Sequence, residues 1–145
     1  MRTRTISSVR TKLIRDRKFK YSARLATSGA VASLFARIVD PCKETFIAFA
    51  VSTKNDLIAM KVTSIGNINS TALDIADIVR FGALSNAAAL IVAHNHPSRD
   101  TTPSKNDLQL TRDLRKILNL VHMPLLDHLI IQLDPIGWHS ILARR

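Results

Sequence analysis

Ala87-Ala88-Ala89-Leu90-Ile91-Val92-Ala93-His94-Asn95-His96-Pro97 is an unbroken apolar run that ends at a His-Asn-His-Pro turn. A short run of this kind, with no polar alternation, is the pattern of a strand covered on both faces at the centre of a sheet. Such a strand needs a layer above it and a layer below it. The expected fold class is therefore α/β in the broad sense (α+β): a mixed β-sheet in one domain, flanked by helices. The run also delivers two imidazoles to its end, where a loop begins.

Upstream, Ser28 to Arg37 places Val31, Leu34, Phe35 and Ile38 at helical spacing after a Ser-Gly start. Thr45 to Ser52 reads as a strand, Thr53 to Asp56 as a turn, and Leu57 to Val62 as its antiparallel partner. A loop at Gly66-Asn67 and Asn69-Ser70 leads to a helix capped by Ser70 or Thr71, with Leu73, Ala76, Val79 and Phe81 to Leu84 toward the sheet. Downstream, a long helix is expected from about Thr102 or Ser104 to Leu120. Pro103 would lie in its first turn, and Leu110, Leu114, Ile117, Leu118 and Val121 would form its apolar stripe. Met123-Pro124 ends that helix. Leu129 to Leu133 reads as a buried strand, Pro135-Ile136-Gly137 as a turn, and Trp138 to Leu142 as a closing strand.

The chain has 145 residues, 46% of them apolar, which suits one domain with a continuous core. No stretch approaches the ~18 to 20 apolar residues of a membrane helix, and no signal-type apolar run follows the basic start, so a cytoplasmic location is expected. Cys42 is the single cysteine, so a metal site here must use nitrogen and oxygen ligands. The net charge of +10 is unevenly spread: residues 1 to 24 hold nine Lys and Arg against Asp16 alone. The expected division is a basic, flexible amino-terminal arm over 1–25 and a folded domain over 26–145. Such an arm is either a solvated tail or a surface that attracts phosphate backbones without sequence preference. Phe19 and Tyr21 are too few to make it a base-stacking surface.

Two histidines one residue apart at a strand end can face one point, and Asp107 near the start of the next helix could add an oxygen ligand. Two imidazoles and a carboxylate are a common set for catalytic zinc, because three protein ligands leave a fourth position open. A water activated there needs a base, and Glu44 is the only glutamate in the chain. Each residue also has a plainer reading. Ser104-x-x-Asp107 resembles a helix-capping pair, His94 and His96 could simply close a buried strand, and Glu44 could be surface charge.

Taken together, the residues resemble the JAMM (JAB/MPN) metallohydrolases, whose signature is an upstream Glu, then His-x-His, seven residues, Ser, two residues and Asp. Glu44, His94, His96, Ser104 and Asp107 fill every position. The wider stretch is similar to the RadC branch: Asn55-Asp56, Gly66-Asn67-Ile68-Asn69, Asn86-Ala87-Ala88-Ala89, His96-Pro97-Ser98, Pro103-Ser104, Leu110-Thr111 and Leu125-Leu126-Asp127-His128. The resemblance covers about residues 26 to 142. It implies the JAB/MPN (cytidine-deaminase-like) fold, Zn2+ on His94, His96 and Asp107, and Glu44 as the base. It also implies Ser104 as hydrogen-bond donor to the oxyanion, and a peptide or protein substrate cleaved at a peptide or isopeptide bond. The RadC label also carries a link with DNA repair, so nucleic acid bound through the arm is the alternative partner. Two departures stand out: Arg99, where relatives usually have glycine, and Asp74-Ile75-Ala76-Asp77, where they have a His-Pro-Arg-Glu-like segment.

Overall fold

The computed structural model describes residues 24–65 and 73–143; most of the expected basic arm and the loop around Gly66 to Ser70 lie outside the described residues. The described elements run α1 (Ser28–Ala36), β1 (Thr45–Val51), β2 (Leu57–Ile65), α2 (Ile75–Leu84), β3 (Ala89–Asn95), α3 (Lys105–Leu120), β4 (Leu125–Leu133) and β5 (Ile136–Ser140). They form a five-stranded sheet in the order β2-β1-β3-β4-β5. β3 runs parallel to β4, and every other neighbouring pair is antiparallel. The expected mixed sheet flanked by helices is what forms, with the apolar run 89–95 as its buried central strand.

Alternation along the strands sorts the core into two layers. Ile47, Phe49 and Val51 of β1 share one face with Ile91 and Ala93 of β3 and Leu129 and Ile131 of β4, and α1 covers them with Val31, Leu34 and Phe35. Phe46, Ala48 and Ala50 share the other face with Leu90 and Val92, covered by Ile78 and Phe81 of α2 and Leu114 and Leu118 of α3. Each fully buried side chain of this size contributes ~1.5–3 kcal/mol of transfer free energy. α1 starts where Thr27 accepts from the Ala30 N–H at 3.2 Å. At the beginning of the described chain, Leu25 is buried and Arg24 bridges to Asp56 on the hairpin turn.

Several local expectations shift. The cap of α2 is Asp74, whose carboxylate accepts from the Ala76 N–H at 2.9 Å, and not Ser70 or Thr71. The buried stripe accordingly falls on Ile78, Phe81 and Gly82, while Ala76 and Leu84 are exposed. Pro103 precedes the Ser104 cap instead of entering the first turn, and Val121 is left exposed at the far end of α3. The buried face of α3 is Asp107, Thr111, Leu114 and Leu118, apolar toward its carboxyl end and polar toward its amino end. β4 begins at Leu125, four residues earlier than its apolar pattern indicates, because the polar pair Asp127-His128 finds partners inside the fold. Asp127 accepts from Ser140 Oγ at 2.7 Å, and β5 starts at Ile136 after the tight Asp134-Pro135 turn. No described helix is long and apolar enough to cross a membrane.

Candidate metal centre

β3 carries His94 on the face that meets α2 and α3, and His96, two residues on, turns to the same side. The sheet neighbours of His94 are Phe46 on β1 and Ile130 on β4, so its backbone is held from both sides. Phe46 stacks on the imidazole with ring centroids 5.6 Å apart and planes 15° from parallel. Asp107 reaches in from the first turn of α3. His94 Nε2 lies 3.2 Å from Asp107 Oδ1, and His96 Nε2 lies 3.5 Å from Asp107 Oδ2. The two Nε2 atoms are 3.0 Å apart.

That donor set fits a cation. The Nδ1 of His96 lies 2.7 Å from the Asp100 carbonyl, which can only accept, so Nδ1 carries a hydrogen and the neutral form of the ring would turn the lone pair of Nε2 inward. His94 has its Nδ1 engaged by His128 at 2.9 Å, so again only Nε2 faces the cluster. Electron-pair donors converging on a buried carboxylate repel one another unless a positive charge lies among them. With metal–nitrogen distances of about 2.0–2.1 Å, a tetrahedral zinc site has ligand atoms roughly 3.3 Å apart, which the spacings above match.

With no ion among them, protons on the imidazoles answer the same carboxylate. For Asp107 the largest single influence is burial, which pushes its pKa up. Hydrogen bonds with His94 and His96, the charge on His94 and the bond with Ser104 outweigh burial and hold the carboxyl well below the usual range. The pKa of His96 is raised, first by its hydrogen bond with Asp107; burial opposes this, and the Asp100 carbonyl and the charges of Asp107 and Glu44 add to it.

Glu44 stands on the residue before β1. Ligand-type atoms of Glu44, His94 and His96 all lie within 4.8 Å of one another, close enough to hold a metal ion. Two carboxylates thus border the imidazole pair. Asp107 meets both rings directly and is buried, whereas Glu44 is only half-buried. Both carboxylates therefore stand where they could hold an ion together with the two imidazoles.

Asn95, between the two histidines, has a role that sequence reasoning missed. Its Oδ1 accepts from the Thr45 N–H at 2.9 Å and its Nδ2 donates to the Lys43 carbonyl at 3.0 Å. One buried amide therefore clamps the backbone on both sides of Glu44. Asn95→Ala leaves that donor and that acceptor without their partner, each worth ~1–3 kcal/mol when buried. We expect the unfolding free energy from denaturant titration to fall by at least ~1–3 kcal/mol; an unchanged value would show that the clamp is not needed.

Ser104 is a helix cap. Its Oγ accepts from the Asp107 N–H at 3.1 Å, and its own N–H donates to Asp107 Oδ2 at 2.8 Å. Because the capping box uses the oxygen as an acceptor, the hydroxyl hydrogen stays available for another partner. Beside His96 a cavity of about 210 Å³ opens, bordered by Cys42, Asn95, Arg99 and Asp134. Arg99 adopts φ 65°, a left-handed conformation that glycine takes without strain, so this departure keeps a glycine-type backbone while placing a cation on the cavity wall. In the second departure, Asp77 pairs with Lys61 on β2 at 2.7 Å, and Asp74 caps α2. Thr111 and His128 also border the centre: Thr111 Oγ1 lies 2.7 Å from His128 Nδ1. The only sequence signal for them was their place in the Leu110-Thr111 and Asp127-His128 pairs.

A metal-type cluster at the end of the central strand of an α+β sandwich defines the class. A family model described as "RadC-like JAB domain" matches residues 25–144. The UPF0758 protein YfjY of Escherichia coli (strain K12) is 36% identical over 142 residues, covering 96% of this chain and 89% of its own. A UPF0758 protein of Cupriavidus pinatubonensis is 39% identical over 108 residues, 74% of this chain and 47% of its own. The UPF0758 protein YsxA of Bacillus subtilis is 38% identical over 89 residues, 61% and 38% of the two chains. The chain belongs to the RadC-like JAB domain family. It spans less than half the length of the Cupriavidus and Bacillus relatives. The cluster gives this member of the family residues that could hold a metal ion.

Proposed function

We propose that the protein is a zinc-dependent hydrolase of amide bonds, peptide or isopeptide, with His94, His96 and Asp107 as zinc ligands, Glu44 as general base and Ser104 as oxyanion donor. The observation that carries this reading is the convergence of two imidazole Nε2 atoms and one carboxylate at 3.0–3.5 Å, with His94 and Asp107 buried. A zinc ion held by these residues would supply a water of lowered pKa and a Lewis acid for the carbonyl. Glu44 takes the proton of the attacking water and hands it to the leaving nitrogen. Ser104 donates its hydroxyl hydrogen where negative charge develops on the carbonyl oxygen. Phe46 and the apolar residues behind His94 hold the ligands in a low-dielectric floor, which strengthens these interactions. The substrate enters beside His96, where Arg99 meets it.

The test combines elemental analysis of protein prepared without chelator with hydrolysis of a panel of peptide and isopeptide substrates. Near one zinc per chain and chelator-sensitive cleavage of an amide bond are expected. Zinc-free protein, or cleavage unaffected by chelator, would remove the reading.

A second reading concerns the arm, with its nine basic residues against one acidic residue over 1–24. It would hold nucleic acid by phosphate contacts, with binding that falls steeply as salt rises. Replacing the eight Lys and Arg between positions 2 and 20 by Gln should flatten that salt dependence. An unchanged slope would rule the arm out.

A further inference from the structure

Behind the candidate ligands a buried hydrogen-bond chain runs from α3 through β4 to β3, and its directions follow from donor counting. Thr111 Oγ1 lies 2.6 Å from the main-chain carbonyl of Asp107, an atom without hydrogen, so the single hydroxyl hydrogen of Thr111 is committed there. The same Oγ1 lies 2.7 Å from His128 Nδ1 and can only accept, which puts the hydrogen of that contact on Nδ1. His128 is fully buried and its two ring nitrogens meet Thr111 and His94, neither a carboxylate, so it is neutral and its Nε2 presents a lone pair. That lone pair lies 2.9 Å from His94 Nδ1, which must then donate.

We propose that Thr111 and His128 are positioning residues that lock His94 in the Nδ1–H tautomer, leaving its Nε2 lone pair to face Asp107 and His96. The inference rests on the reading of His94 as a metal ligand, and it explains why two polar side chains are kept in an otherwise apolar layer. Asp107 closes the loop, since its carbonyl starts the chain and its carboxylate lies 3.2 Å from the Nε2 at the other end. Without the Thr111 acceptor, His128 gains by moving its hydrogen to Nε2 and donating to His94. The hydrogen of His94 is then driven onto its own Nε2, where it competes with the metal.

The experiment reads imidazole nitrogen shifts by NMR in metal-free protein and zinc affinity by competition with a chromophoric chelator, in wild type, Thr111→Val and Thr111→Ser. His128 in the wild type is expected as the Nδ1–H tautomer. Thr111→Val should switch it to Nε2–H and weaken zinc binding by about 10–100-fold, the usual effect of losing a residue that orients a ligand. Thr111→Ser should restore both. An Nε2–H tautomer in the wild type, or wild-type affinity in Thr111→Val, overturns the proposal. If the wild type takes up no zinc, the metal-site reading falls instead, and the His128 tautomer alone decides whether the chain runs in the stated direction.

Discussion

Glu44→Gln should lower amide hydrolysis by about 10²–10⁴-fold, the range a positioned general base supplies, while bound zinc stays at the wild-type level. The substitution preserves the shape of the side chain and removes its ability to accept a proton. His94, His96 and Asp107 lie within 3.0–3.5 Å of one another and can hold the ion as three ligands, so the metal should remain. Its backbone is held from Lys43 and Thr45 by Asn95, so the variant should fold normally. The measurement is kcat on the substrate identified by the panel, paired with metal analysis of the same sample. Loss of zinc together with activity would make Glu44 a ligand, and full activity would remove it from the mechanism.

His96→Ala should have the opposite signature: zinc falls well below one per chain and hydrolysis drops to background. Loss of a residue that only orients a ligand typically lowers metal affinity ~10–100-fold, and loss of a ligand should exceed that. His96 is the cleaner choice of the two imidazoles because it is partly exposed and its main tether is the Asp100 carbonyl. His94 is fully buried against Phe46 and His128, so its removal would mix a cavity with a lost ligand. Circular dichroism of metal-free wild type and His96→Ala should coincide. If the variant keeps stoichiometric zinc, the ligand set is wrong.

The central strand and the long helix were legible because each follows one dominant rule. Leu90 to Ala93 is apolar without interruption, and Leu114 and Leu118 repeat at helical spacing after a Ser104-x-x-Asp107 start. Boundaries were harder where polar residues sit inside elements. Asp127 and His128 look like loop residues until Ser140, Thr111 and His94 are seen to satisfy them. The start of α2 was misplaced because Ser70, Thr71 and Asp74 are all good caps, and only packing against the sheet selects one. The candidate site was legible as a set through spacing and resemblance. The function of Asn95 was not, since its two partners lie fifty residues or more away in the chain.

Asp107, the third residue of α3, also closes the capping box that starts the helix. The same carboxylate that faces the imidazoles therefore holds the first helical turn through the Ser104 N–H. Occupancy of the site and order of that turn are thermodynamically linked. At a metal concentration one hundred times Kd, the native state gains about 2.7 kcal/mol. Part of that gain should appear locally, as slowed amide exchange at positions 104–108. The amino end of α3 thus acts as a built-in gauge of metal loading, readable without any substrate.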